Sequence, residues 1–324
     1  MNLDAQILHA LRNSVSVSGA ELADRAGVSR AAVWARIEEL RSLGYEIAAN
    51  PHQGYRLIAT PDALHADDLL ARLGEGAVIG RDIRVFNETA STNDVIERLA
   101  RDGAAEGVVV FAESQSRGRG RLGRQWLSPP ARGLWFSVLL RPEFQPLAAT
   151  RITVAAATAL CRAVKRETGA AVAIKWPNDL LIEGRKIAGI LTELSAELDR
   201  INHVTLGIGV DVNLSASELP AELRGIATSL RIATGRRIDR PALACAVLRE
   251  LEHDYLRIIR GGFTGVAEEW ESQCLTLGRR VSITLGGHRI EGLAESLDDE
   301  GALMVRTSHG QLERVTGGDV TLDK

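Results

Sequence analysis

Apolar side chains in this chain recur with three different spacings in three successive stretches, and that change of spacing commits it to a multidomain fold. Up to Gly44 the spacing is helical: Leu3, Ile7, Leu8 and Leu11, then Leu22, Ala23 and Ala26, then Val33, Ile37 and Leu40. From residue 62 onward, strand-length runs at 108–112, 135–140, 190–194 and 204–210 mix with one long helical pattern over 150–168. Beyond residue 275 only short strands remain, at 281–285, 289–297, 302–307 and 312–315. They are separated by Gly286-Gly287, Asp299-Glu300-Gly301 and Ser308-His309-Gly310. The expected fold is multidomain α+β: a winged helix-turn-helix at 1–61, an α/β domain at 62–274, and a small SH3-like β-barrel at 275–324. A chain of 324 residues is long enough for all three.

The N-terminal stretch carries its punctuation openly. Gly27 supplies a turn, Ser29 is a suitable N-cap, and Val33, Ile37 and Leu40 form the buried face of the helix that follows. Residues 45–58 alternate around Pro51-His52-Gln53-Gly54 like a hairpin wing, and Thr60-Pro61-Asp62 marks a boundary. A recognition helix would present Ser29, Arg30, Ala31, Trp34, Ala35 and Arg36 to a major groove, with His52 and Arg56 of the wing on phosphates. A three-helix domain for protein contacts suits the same pattern. Residues 1–65 hold six arginines, no lysine and seven acidic residues, so one copy has little charge for phosphate. Dimerisation would double its contacts.

Composition closes other routes. Apolar residues at 45% and charged residues at 25% exclude disordered, collagen-like and coiled-coil classes. The longest nearly uncharged run, 152–161, is shorter than the roughly 18 residues of a membrane span. The first residues do not read as a secretory leader. Cys161, Cys245 and Cys274 have neither disulfide-framework nor metal-ligand spacing, so a cytoplasmic location is expected, with metal ligands unassigned. The net charge of −3 makes no global case for nucleic acid or membrane. Of 39 basic residues, only Lys165, Lys175, Lys186 and Lys324 are lysine; Lys175 and Lys186 fall within one twelve-residue stretch, where a compact ammonium is expected in place of a guanidinium.

Three central segments carry chemistry. In SRGRGRLGRQW, 116–126, Gly118, Gly120 and Gly123 satisfy G-x-G-x-x-G, but Gln125-Trp126-Leu127-Ser128-Pro129-Pro130 is not the helix a dinucleotide fold requires there. Arg119, Arg121 and Arg124 alternating with glycine instead suit a loop that wraps an anion; a solvated basic loop has the same composition. In KWPNDLLIEGRKIAGILTE, 175–193, Pro177 and Asn178 fix a turn and Gly184 a hairpin bend. Lys175, Asn178, Asp179 and Lys186 then stand on rigid edges, or simply decorate a surface hairpin. In GIGVDVN, 207–213, glycines allow close approach at a strand's end.

In this order the segments, with Ser91-Thr92-Asn93 before them, resemble the bifunctional biotin–protein ligases that also repress a biotin operon. The resemblance spans essentially the whole chain and implies a class II synthetase-like catalytic domain. It implies that biotin and ATP, with Mg²⁺, form biotinyl-5′-adenylate, and that biotin then passes to a lysine of the biotin carboxyl carrier protein of acetyl-CoA carboxylase. It places Ser91, Thr92, Asn93, Gln115, Arg119, Gly120, Arg121 and Lys186 around biotin. Gly118, Arg124, Trp126, Lys175, Asn178 and Asp211 would hold the nucleotide, and Lys186, Arg119, Arg121 and Asp179 would serve catalysis, Asp179 meeting the acceptor lysine. It further implies an adenylate-promoted homodimer on operator DNA, and no membrane partner. The chain departs from the family at Asp211, where asparagine is usual, at Ala35, where a basic residue is common, and at Leu122, an arginine in some relatives. Two other readings share these residues: a ligase whose winged helix has lost DNA binding, and a non-catalytic ligand-sensing transcription factor, against which Lys186 and the intact loop argue. A related lipoate-attaching enzyme fits GRGRLGRQW and KWPND less well than a biotin enzyme does.

Overall fold

A computed structural model describes residues 2–322. It begins with α1 (Leu3–Arg12), α2 (Gly19–Ala26) and α3 (Arg30–Ser42), then the wing of β1 (Glu46–Asn50) and β2 (Gly54–Ala59). Gly27 ends α2 in the left-handed conformation at φ 67°, and Ser29 caps α3 by accepting from the Ala32 amide. Val33, Ile37 and Leu40 are buried with Ile7, Leu8 and Leu11, so the helical spacing read from sequence is the packing of this small core.

Next comes α4 (Ala66–Leu73), which joins two cores: Ala71 belongs to the N-terminal cluster and Leu69 to the central one. His9 Nδ1 lies 2.9 Å from the Ala71 carbonyl, and Arg12 pairs with Asp68. The linker is also pinned. Arg240, 0% exposed, donates to the Asp62 carbonyl and to Glu113, while Glu113 accepts the Leu64 amide.

The central part contains β3 (Asp82–Thr89), α5 (Thr92–Arg101), β4 (Val108–Gln115), β5 (Gly133–Leu140), α6 (Thr150–Thr168), β6 (Ala173–Lys175), β7 (Asp179–Ile182), β8 (Arg185–Ala196), β9 (Ile201–Asp211), α7 (Leu230–Thr234), α8 (Arg240–Ile259) and α9 (Phe263–Gln273). Its seven strands run in the order β3-β4-β5-β9-β8-β7-β6, antiparallel except for β3 beside β4. Glu183 and Gly184, both at positive φ, make the two-residue bend between β7 and β8.

The two-residue period of the strands decides where the site lies. Leu134, Phe136 and Val138 of β5, with Leu206, Ile208 and Val210 of β9, face the core beneath α6, α8 and α9. The opposite face of the same strands carries Ser137, Thr205, Gly207, Gly209 and Asp211. Helix α5 covers one end of that face, burying Val95, Ile96 and Ala100 against Val110 and Leu139, and the rest is left for a pocket.

The stretch Pro146–Thr168 is long and apolar enough to cross a membrane by length and composition, more than the uncharged run alone suggests, but 67% of its apolar 18-residue window is buried inside the fold. Its partners are α8 and α9, joined to it by Arg162 through Glu250, Asp254 and Glu269. The chain closes with β10 (Arg280–Leu285), β11 (His288–Leu297), β12 (Leu303–Thr307), β13 (Leu312–Val315) and β14 (Asp319–Leu322), ordered β13-β12-β11-β10-β14. Four of these five antiparallel strands match the spacing in the sequence; β14 adds itself to β10.

Candidate active site

A cavity of about 630 Å³ opens on the side-chain-poor face of the sheet, within the size range of small-molecule sites. One wall is the N-terminus of α5. Ser91 stands at the N-cap position but its hydroxyl makes no cap hydrogen bond, although the residue is 3% exposed. Gln115 caps in its place, its Oε1 accepting from the Thr92 amide at 2.8 Å. The network continues from Thr92 Oγ1 to Ser137 Oγ at 2.7 Å, from Ser137 to Asn93 Oδ1, and from Asn93 Nδ2 to Glu193 Oε2 at 2.6 Å. The Ser91 hydroxyl is thus left for a ligand while its neighbours are held in place.

The glycines of 207–213 serve side chains first. A Cβ at Gly207 would stand 2.3 Å from Asn93 Oδ1, and one at Gly209 would stand 2.7 Å from the Trp126 indole. Gly189, the register partner of Gly209 on β8, also lies under that ring. The expected close approach at the strand's end is therefore an approach by Asn93 and Trp126, which makes the strand a floor for both. Trp126 Nε1 is buried without a hydrogen-bond partner, and a buried indole N–H of this kind is suited to an incoming acceptor.

Lys186 Nζ sits 5.1 Å from the centroid of the same ring and 2.6 Å from Asp179 Oδ1. Its main chain binds the loop that closes the cavity, with Lys186 N to Ile226 O and Thr228 N to Lys186 O, both 2.8 Å. Asp179 is thereby committed to Lys186 in this state. Lys175 lines the cavity without a partner among the described residues, so it offers an uncompensated ammonium.

The arginine–glycine loop is built rather than solvated. Gly120 N donates to Arg124 O at 2.7 Å and Trp126 N to Gly118 O at 2.9 Å, so without ligand the Gly120 amide is bonded inside the loop. Gly118 is needed for space, because a Cβ there would stand 2.5 Å from Trp126 O. Three of the loop's four arginines have a side-chain acceptor. Arg119 bonds Glu193 at 2.9 and 3.1 Å and Asp94 at 2.6 Å; Arg121 bonds Asn178 Oδ1 at 3.0 Å; Arg124 pairs with Asp319 of β14. Burial lowers the Arg121 pKa from the ordinary arginine value, despite Asp179 and Asp319 nearby. In this ligand-free state two carboxylates occupy the Arg119 guanidinium. Leu122, at φ 56°, carries the loop's tip into solvent.

Asp211 lies on the pocket face at the end of β9, and burial pushes its carboxyl up to about 8, partly offset by the charge of Lys186. In the ligand-free chain its burial favours the neutral acid. A neutral acid offers one donor and one acceptor, as asparagine does. Among the described residues no group of three or more His, Cys, Asp or Glu side chains is placed to hold a metal.

At the N-terminus, Arg30, Ala31, Trp34 and Ala35 are exposed on α3, Trp34 at 57%, with His52 and Arg56 exposed on the wing and Ser29 at the cap. Arg36 departs from the expected DNA face: it is bound to Asp4 of α1 and to Glu39, which raises its pKa.

Over 97% of its length the chain is 38% identical to the bifunctional ligase/repressor BirA of Bacillus spizizenii, covering 96% of that protein. The chain belongs to the bifunctional ligase/repressor family. The Escherichia coli member is 30% identical over 98% of the chain and 96% of its own length. The biotin/lipoate A/B protein ligase family matches residues 85–211, an HTH domain family 4–56, and the biotin protein ligase C-terminal domain family 276–323. The biotin protein ligase of Aquifex aeolicus in complex with biotin and ATP is 31% identical and superposes with a TM-score of 0.65, over 75% of this chain and 99% of that one. The central domain accordingly has the class II synthetase-like fold of the family.

Sequence reading missed three contributors to the family's pocket in this chain. Ser137 is a lone hydroxyl in the apolar strand GLWFSVLL and fully buried, a signal that was present. Glu193 closes a segment that was singled out, yet its partners lie 74 and 100 residues away. Asp319 sits in a strand not anticipated at all.

Proposed function

We propose that this chain, acting in the cytoplasm, condenses biotin with ATP and transfers biotin to one lysine of the biotin carboxyl carrier protein of acetyl-CoA carboxylase. Loaded with biotinyl-5′-adenylate, two chains pair and their winged helices repress a biotin operon. Working boundaries are 1–61 for the winged helix, 62–274 for the ligase domain and 275–324 for the barrel. The observation that carries the ligase reading is the position of Lys186, its ammonium 5.1 Å from the Trp126 ring centroid in the cavity that Ser91–Asn93 and the arginine–glycine loop also line. Three unpaired cysteines, with the Cys161 and Cys245 thiols pushed up to about 12 by burial, suit a reducing compartment.

In the first step a biotin carboxylate oxygen bonds the α-phosphorus of ATP while the bond to the β-phosphate oxygen breaks and pyrophosphate leaves. No protein nucleophile takes part, so the chain's contribution is alignment and charge. Ser91, Thr92, Asn93 and Gln115 would orient the biotin ring; Lys186 would meet carboxylate and α-phosphate; Lys175, Asn178, Trp126, Arg124, Gly118 and Asp211 would hold the nucleotide. Among the described residues the carboxylates do not form a resident metal site, so Mg²⁺ is read as part of the nucleotide, held by its phosphates. In the second step the neutral carrier amine bonds the acyl carbon, the C–O bond to AMP breaks, and the nitrogen releases a proton. The closed loop excludes water from the mixed anhydride meanwhile, with Arg121 retaining it. Asp179 would meet the carrier lysine once Lys186 turns to the ligand.

Biotin-dependent exchange of pyrophosphate into ATP tests the ligase reading; no exchange in folded protein refutes it. A second reading, a ligase that has lost its operator, draws on the winged helix itself. Arg12, Arg25, Arg36 and Arg41 are bound to Asp68, Glu21, Asp4 and Glu38, which leaves only Arg30 and Arg56 of its six arginines for phosphate.

A further inference from the structure

Glu193 stands on β8 where the strand pairs with β9, opposite Thr205, and its side chain is 38% exposed. An ion pair this exposed adds little to stability. Yet its carboxylate takes three hydrogen bonds from two different parts of the pocket: Asn93 Nδ2 at 2.6 Å, and Arg119 Nη2 and Nε at 2.9 and 3.1 Å. An ionised carboxylate only accepts, so it dictates which way the Asn93 amide faces. With Nδ2 turned to Glu193, Oδ1 is turned to Ser137, which donates to it and therefore accepts from Thr92 Oγ1, while Gln115 Oε1 is held by the Thr92 amide. Gly207 leaves the amide the room to lie there. The other side of Arg119 is held by Asp94 of α5, which is 51% exposed and touches no other pocket group in this way.

We propose that Glu193 is a positioning residue for the acyl substrate: one carboxylate sets the Asn93 amide and anchors the start of the arginine–glycine loop, so that the biotin wall and its cover are assembled together. The inference rests on the biotin ligase reading and deepens it. It assigns Arg119 to fastening rather than to charge neutralisation, since its five N–H donors are largely consumed by Glu193 and Asp94. Glu193 touches no phosphate-facing group, so its influence should fall on biotin and spare ATP.

The test is steady-state pyrophosphate exchange on the full chain, varying biotin and ATP separately, for the parent protein, Glu193→Gln and Asp94→Asn. Glu193→Gln is expected to raise the KM for biotin about tenfold, the loss of one charge-assisted hydrogen bond, with kcat and the KM for ATP within about twofold and an unchanged thermal midpoint. Asp94→Asn, which frees Arg119 on one side and leaves Asn93 anchored, should raise the KM for biotin by about two- to threefold. An unchanged KM for biotin, equal rises for both substrates, or a larger effect from Asp94→Asn would each overturn the assignment. A parent protein without biotin-dependent exchange would instead remove the ligase reading beneath it. If Glu193→Gln fails to fold, Asp94→Asn decides: no shift in the KM for biotin, or a shift shared with ATP, counts against the role.

Discussion

The pocket and the winged helix spend their arginines in the same way, with opposite consequences. In the pocket, Arg119, Arg121 and Arg124 are bound to Glu193 and Asp94, to Asn178, and to Asp319, and those bonds draw α5, the turn before β7, β8 and the C-terminal sheet around one cavity. In the winged helix, Arg12, Arg25, Arg36 and Arg41 are likewise bound, and those bonds offset four of the six arginine charges available for phosphate. Preorganisation serves a site that works by alignment. It weakens one that works by neutralising phosphate. On the function proposed above, the difference suits a chain that holds its ligand alone and DNA only as a pair.

The largest effect that could break the comparison is at Lys186. Lys186→Ala should lower the rate of biotin-dependent pyrophosphate exchange by about 10³-fold, with biotin still bound by calorimetry; a loss below tenfold would mean the ammonium is not the group aligned with the reacting atoms. Arg121→Gly should release the adenylate about tenfold faster, the value of one charged hydrogen bond, and biotinylate bystander proteins in a mixed lysate. Unchanged acceptor selectivity would count against the loop as a cover. On the other region, Arg56→Ala should weaken operator binding about fivefold and reduce the slope of log K against log salt by about one. Arg36→Ala should instead lower the thermal midpoint and leave that slope alone. A reversed pattern would return Arg36 to the DNA face.

A smaller effect sharpens the pocket side. Asp211 releases its proton near 8 in the folded chain but at the ordinary carboxyl value of 3.8 when unfolded. Between those values the folded chain binds the extra proton, so its stability falls as pH rises through that window and the deficit is complete above about 8. Asp211→Asn should therefore melt several degrees higher than the parent at pH 8, with the two converging toward pH 4. Its KM for ATP should lack the rise that the parent shows as the acid ionises. The smallest expected change is at the barrel: Asp319→Ala, which frees the exposed Arg124, should speed adenylate release by about two- to threefold.

What the sequence disclosed follows how far each signal reaches along the chain. Ser29 as a cap, Gly27 as a turn, and α6 and β13 at their full bounds were legible because caps, turns and periodicity are local. The residues converging on the cavity were legible as a set through the family's motifs, though their bonds were not. Gly207 and Gly209 announced a close approach, but the groups that fill the space, Asn93 and Trp126, come from more than eighty residues upstream and nothing in GIGVDVN names them. Arg119 and Arg124 looked like free cations because their acceptors, Glu193 and Asp319, lie 74 and 195 residues further on. Arg36 looked exposed because its partner Asp4 sits on another helix. Strand β14 escaped because four residues after Gly317-Gly318 carry too little pattern to declare a strand without β10 to pair with.

The most direct test of the central claim is a binding selection from sheared genomic DNA, run with and without biotin plus MgATP, in parallel with Lys186→Ala. The account predicts recovery of a two-fold symmetric site by the parent protein only when both ligands are present, and no recovery by Lys186→Ala under any condition. Equal recovery of that site without ligands, or by Lys186→Ala, would contradict it, because DNA would then be held by a surface that does not depend on the filled pocket.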